Sequence, residues 1–86
     1  MPVIPEGMSG HQYRAACQRR DTPPEWYGVR VEQYATEVRS WDAVLAHLAV
    51  LGRDDTEHRA RRAELVVELE HWQGRVAELE GSPVLF

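Results

Sequence analysis

From Tyr27 onward the apolar positions of the chain recur with the period of a helix. Tyr27, Val31, Tyr34, Val38, Trp41, Leu45 and Leu48 follow one another at spacings that alternate between four and three. After Gly52-Arg53-Asp54 the pattern resumes in Leu65, Leu69, Trp72, Val76 and Leu79. Such spacing, sustained over several turns, predicts two long helices, each with a heptad-like apolar seam. The turn near 52–54 is too short to let the helices lie apart, so it predicts an adjacent, antiparallel pair. Counting outward from it places Trp41 opposite Leu65, Val38 opposite Leu69 and Tyr34 opposite Trp72. Large rings then meet branched aliphatics along the seam, which reads the tyrosines and tryptophans as core.

Punctuation residues set the limits of these elements. Ser9 followed by Gln12 has the spacing of a capping box and predicts a short helix over 11–21. In Asp21-Thr22-Pro23-Pro24-Glu25, Thr22 is placed to cap, Pro23 to occupy the first helical position and Glu25 to return the capping bond. Gly52 supplies a C-terminal stop, Asp54 with Glu57 starts the next helix, and Gly81 and Pro83 end it. The prolines and glycines of residues 1–10 predict an extended arm. The expected fold is therefore all-α: an arm over 1–10, a short helix over 11–21, a helical hairpin over 22–81, and an extended apolar tail over 82–86.

One partner helix cannot cover all the apolar surface this pattern creates. Residues 43–51 read Ala-Val-Leu-Ala-His-Leu-Ala-Val-Leu, apolar nearly all the way round. Leu45 and Leu48 lie on the seam, whereas Val44, Val50 and Leu51 point away from it. On the second helix Val66 flanks the seam and Val67 faces almost opposite. A helix that is apolar on all sides is covered on several sides, and a lone two-helix hairpin has little core of its own. Val44, Val50, Leu51 and Val67 are thus candidate interface residues. Val3 and Ile4 in the arm, and Leu85 and Phe86 in the tail, are candidate anchors onto a neighbour.

Composition narrows the function classes. The chain has 86 residues, which fits one small domain, with 43% hydrophobic and 28% charged residues, an ordinary globular balance. It holds no apolar run long enough for a membrane span and no secretory signal at its start, so a cytoplasmic or virion location is expected. The formal net charge of −4 argues against nucleic acid as the main partner. A single cysteine, Cys17, leaves no internal disulfide to form. All ten basic residues are arginine, and Ile4 is the only isoleucine, a bias that codon usage in a GC-rich genome produces. Arg14, Arg19 and Arg20 make the first helix basic, and it is expected to neighbour the acidic end at Glu78 and Glu80.

Candidate chemistry is sparse. Glu68-x-x-His71 has the spacing of ferritin-like di-iron sites, in which a facing helix supplies a further carboxylate, here Glu37. On this spacing the sequence resembles the encapsulated ferritins, helical hairpins that complete their metal site by dimerising. Against that reading, His71 is expected to point outward, on the side Val67 occupies. His47 and His58 do not converge in the expected pairing. The arginines at 53, 59, 61 and 62 form a basic cluster, yet Asp54, Asp55 and Glu57 are interleaved with it and no aromatic residue stands ready to stack a base. Trp26-Tyr27-Gly28 and Trp72-Gln73-Gly74 match the Trp-x-Gly turn of small secreted helical hairpins, but here the copies fall near helix ends or inside a helix, and the turn is Gly52-Arg53-Asp54. No Gly-rich phosphate loop or nucleophile elbow is present. No catalytic residue, metal ligand, cofactor or small-molecule substrate is assigned. The expected function is a non-enzymatic structural or adaptor protein whose partners are other protein chains, its most concrete form a minor component of a bacteriophage virion from a GC-rich host. The alternatives are the ferritin-like metal protein and a small helical regulator that docks on a partner.

Overall fold

A computed structural model of the chain describes residues 6–80, and these are all-α, with no strand among them. Helix α1 spans Gly10–Asp21, a single 3-10 turn spans Pro24–Trp26, α2 spans Tyr27–Leu51 and α3 spans Thr56–Leu79. The arm residues Val3 and Ile4 and the tail residues Leu85 and Phe86 lie outside the described residues.

Helix α1 begins as its capping residues require. The Ser9 hydroxyl accepts from the Gln12 amide at 3.1 Å, and the Gln12 side chain accepts from the Ser9 amide at 3.0 Å. Two otherwise unpaired amides are satisfied reciprocally.

The start expected at Thr22 does not form. Thr22 ends α1 instead, with its amide donating to the Gln18 carbonyl at 3.0 Å. Pro24 is the reason. A residue that precedes proline is pushed out of the helical region, and Pro23 sits at φ −72°, ψ 157°. Pro23 therefore cannot be the first helical residue. The chain enters the 3-10 turn one residue later, and α2 proper starts at Tyr27. Thr22 is buried, and its hydroxyl accepts from the Arg30 guanidinium at 3.0 Å.

Gly52 ends α2 as expected. It adopts the left-handed conformation at φ 67°, ψ 28°, and the Arg53 amide reaches back to the Leu48 carbonyl at 3.0 Å. Before α3 the Asp54 carboxylate accepts from the Thr56 amide at 3.1 Å and from its hydroxyl at 2.7 Å. These bonds hold the Asp54 carboxyl below its usual pKa.

The core lies where α2 packs on α3. Tyr27, Tyr34, Val38, Leu65 and Trp72 are buried, with Val31, Trp41, Val66, Leu69 and Val76 packed around them. Nine of these ten lie on the two apolar seams, and Val66 is the flanking residue. The pairing differs from a symmetric count outward from the turn. Tyr27, at the start of α2, stacks on Trp72 with ring centroids 5.5 Å apart, and Trp41 stacks on His58 at 5.4 Å. Arg62 bonds Asp42 at 2.5 Å. Each of these α3 residues meets α2 between half a turn and two turns nearer the α2 N-terminus than the symmetric count expects. The end of α3 consequently overshoots the start of α2. Leu79, a seam residue by spacing, is 56% exposed for that reason.

Candidate functional site

The same stagger leaves the last two turns of α2 without a full partner. Leu45 and Leu48 are only half-buried. Val44 is 41%, Leu51 54% and Val50 84% exposed. At 100° per residue Val44, Leu48 and Leu51 fall in one row, at steps of four and three, whereas Val50 stands to the other side of the seam. The sequence pattern singles out Val44, Val50 and Leu51 and assigns Leu48 to the seam. That Leu48 also belongs to the exposed row depends on the stagger, which the pattern does not carry.

Val67 lies elsewhere. On the outer side of α3 it is 57% exposed and lines a cleft of about 340 Å³ beneath α1. Ala15 and Ala16 of α1 form the roof, Tyr34 lies at the base, and Arg61, Glu64 and Glu68 complete the α3 wall. The two alanines are too short to fill the gap, so α1 seats no apolar side chain in it and none of its residues is buried.

Polar contacts join α1 to the helix pair instead. Arg19 forms a two-pronged ion pair with Glu68, the Tyr34 hydroxyl donates to the Gln18 carboxamide, Arg14 stands 3.6 Å from Glu37, and Arg30 holds Thr22. Arg14, Gln18 and Thr22 are four residues apart, one stripe of α1. They face Glu37, Tyr34 and Arg30 in that order, so α1 runs back along α2. That stripe is the sequence signal for the docking, and it goes unused when α1 is read only as a basic helix. The expected pairing of α1 with the acidic end of α3 does not occur. Extended backbone at Thr22 and Pro23 turns α1 back along the middle of the pair. Glu78 bonds Arg75 on its own helix at 2.9 Å, and Arg20 bonds Asp21 at 2.8 Å.

This docking fixes the electrostatics around Tyr34. Burial, with the Glu68 carboxylate nearby, raises the Tyr34 phenol above its usual pKa. His71 does not point outward as the sequence suggests. It is half-buried, with its ring edge-on to Trp72 at 4.9 Å, because α1 lies over that side of α3. Burial, and then the Arg19 charge, lower its pKa below the ordinary value near 6.5. Glu37, Glu68 and His71 do not form a ligand set, since each carboxylate faces an α1 arginine. Among the described residues no group of three or more His, Cys, Asp or Glu side chains converges to hold a metal. His58 lies against Trp41, while His47 is exposed.

Three of the four arginines of the basic cluster are paired as well. Arg59 meets Asp55 at 2.8 Å, Arg61 meets Glu64 at 3.0 Å and Arg62 meets Asp42. Cys17 is a free, half-buried thiol on α1. Among the described residues no helix is long and apolar enough to cross a membrane.

No protein-family model matches the chain, and no significant similarity to a curated protein or a solved structure was found.

Proposed function

We propose that the chain is a non-enzymatic structural or adaptor protein, an antiparallel helical hairpin with a coiled-coil-like seam, that packs into a larger multi-chain assembly. The observation that carries this reading is the apolar end of α2, where Val44 and Leu51 stand exposed in one row with the half-buried Leu48, and Val50 is exposed on another side of the helix. Contiguous exposed apolar surface at one end of a small helical body marks an interaction site. In this reading Val44, Val50 and Leu51 at the end of α2 and, separately, Val67 on α3 are the interface residues, and Val3, Ile4, Leu85 and Phe86 are anchors that reach a neighbouring chain. The most concrete version is a minor structural component of a bacteriophage virion. The all-arginine, isoleucine-poor composition supports it by pointing to a GC-rich host, and in this reading the chain works in the cytoplasm or the virion.

The test is the solution mass of the wild-type chain and of V50D/L51D, measured by light scattering over a range of concentrations. The wild type should self-associate or aggregate as concentration rises, and the variant should stay monomeric with unchanged helical circular dichroism. A wild type that remains monomeric and behaves like the variant at every concentration overturns the reading.

A further inference from the structure

Helix α1 rests on the α2–α3 pair without a buried side chain of its own. Among the described residues its polar tie to α3 is the Arg19–Glu68 ion pair. Its other ties, Gln18 with Tyr34, Arg14 with Glu37 and Thr22 with Arg30, all go to α2. Ion pairs open to solvent are weak, and a helix of 12 residues is marginal in water once it leaves its support. Whatever disturbs the Arg19–Glu68 pair therefore acts on α1 as a whole.

His71 stands at that pair. It follows Glu68 on α3 at the i,i+3 spacing that makes side chains neighbours on one helix face, and its half-buried ring lies edge-on to Trp72 at 4.9 Å. The charges that act on the ring are Arg19 from α1 and Glu68, Arg75 and Glu78 from α3. Arg75 and Glu78 are engaged elsewhere: they bond each other at 2.9 Å, and Arg75 donates to the Tyr27 hydroxyl of α2 at 2.8 Å. Arg19 and Glu68 are thus the partners that a charge on His71 meets. While the ring is neutral, Glu68 belongs to Arg19. An imidazolium at the same place repels the guanidinium and offers Glu68 a second partner, one on its own helix that does nothing to hold α1.

We propose that His71 is a proton-operated release for α1: protonation of the ring sets it against Arg19, draws Glu68 away, and lets α1 swing off α3 about the extended backbone at Thr22 and Pro23 while the α2–α3 pair stays folded. Burial and the Arg19 charge favour the neutral ring while α1 is docked, and by linkage a bound proton favours the undocked helix. Release lifts Ala15 and Ala16 from the cleft and opens Tyr34 and Val67 beneath them. It is a property of the single chain and stands apart from the assembly proposed above.

The test is an NMR titration of the dilute chain from about pH 7.5 to about pH 5, a window that takes in the ordinary histidine range, with His71→Gln alongside. The His71 ring signal is the one the variant lacks. In the wild type the backbone order parameters of α1 should fall from about 0.85 to below about 0.6, with a midpoint at the pH where the His71 ring titrates. His71→Gln keeps His11 and every carboxylate, and its α1 should stay ordered throughout. Helix α1 that stays ordered once His71 is protonated overturns the inference. So does order lost equally in the variant, which would place the effect on His11 or the carboxylates. In Arg19→Gln the His71 ring should titrate closer to 6.5, and a ring that titrates where it does in the wild type also overturns the proposal. Helices α2 and α3 should hold their order parameters in all three chains; a fall in step with α1 would mean general unfolding and no release.

Discussion

The Trp72 ring packs on Tyr27 with centroids 5.5 Å apart and planes inclined at 49°, which ties the end of α3 to the start of α2. Arg75, one turn further along α3, closes the same corner. Its guanidinium donates to the Tyr27 hydroxyl at 2.8 Å and lies 5.1 Å from the ring centroid. Trp72 is wholly buried, and among the described residues its indole Nε1–H has no hydrogen-bond partner. Its contribution is therefore packing, against the cost of an unsatisfied donor.

Trp72→Ala should remove a large buried ring at a cost of about 3–5 kcal/mol, enough to unfold a chain whose core is this small. Trp72→Phe keeps most of the ring and removes the orphan donor, whose burial costs about 1–3 kcal/mol. The two effects oppose, so the phenylalanine variant should stay folded with a denaturation midpoint close to that of the wild type. Urea titrations followed by circular dichroism check both. A phenylalanine variant as unstable as the alanine one would show that the indole nitrogen has a partner.

The Arg19–Glu68 pair joins α1 to α3, but both side chains are in part open to solvent, and such pairs contribute about 0–1 kcal/mol. Arg19→Glu should thus leave the core transition nearly unchanged while it loosens α1, a helix of 12 residues without a buried side chain. Amide hydrogen exchange in α1 should accelerate selectively. In R19E/E68R, where the charges are exchanged, protection should return. Exchange that rises equally in α2 and α3 would show that α1 supports the core and is not merely tethered to it.

Helix limits and core residues are readable in the sequence because they follow from local chemistry. The Ser9–Gln12 box, the Gly52 stop and the two seams each depend on a few neighbouring residues, and the buried set of Tyr27, Tyr34, Val38, Leu65 and Trp72 falls on those seams. The relation between the two helices is not local. Trp72 settles against Tyr27 rather than opposite Tyr34 because the fit of large rings fixes how far one helix slides along the other, and no spacing encodes that slide. The exposure of Leu79 and the half-burial of Leu48 both follow from it. Thr22 was open to a local argument, since Pro24 bars Pro23 from helical geometry, but its role as the Arg30 acceptor appears only once α1 has turned back. The apolar positions Val44, Val50, Leu51 and Val67 are readable as surplus to a two-helix seam, whereas Val67 lining a different cleft from the other three depends on where α1 lies.

His71 gives the fold a pH dependence of definite sign. Its pKa is lowered in the folded chain, by burial first and by Arg19 second. Between that lowered value and 6.5 the unfolded chain binds more protons than the folded one, so stability falls as pH falls. Above pH 6.5 both states hold a neutral imidazole and the contribution is fully present; it is lost progressively as pH drops through the folded value. His71→Gln should flatten the midpoint-against-pH curve in that window and leave the region above 6.5 parallel to the wild type. A glutamine variant with an unchanged slope would place the dependence on another group.

Gly52 is where a single methyl group tests the turn. Its φ of 67° lies in the left-handed region, where a side chain crowds its own carbonyl at a cost of about 1–2 kcal/mol. A Cβ built there would meet nothing within 4 Å, so backbone strain is the whole of the expected effect. Gly52→Ala should lower stability by about 1 kcal/mol. Gly52→Val adds branching at the same site and should cost more. Asparagine tolerates left-handed backbone better than other residues with a side chain, so Gly52→Asn should lie nearest to wild type. Thermal unfolding of the three variants gives the order directly. An alanine variant at least as stable as the asparagine one would mean that the turn relaxes into another conformation, and the Arg53 amide would then lose its bond to Leu48.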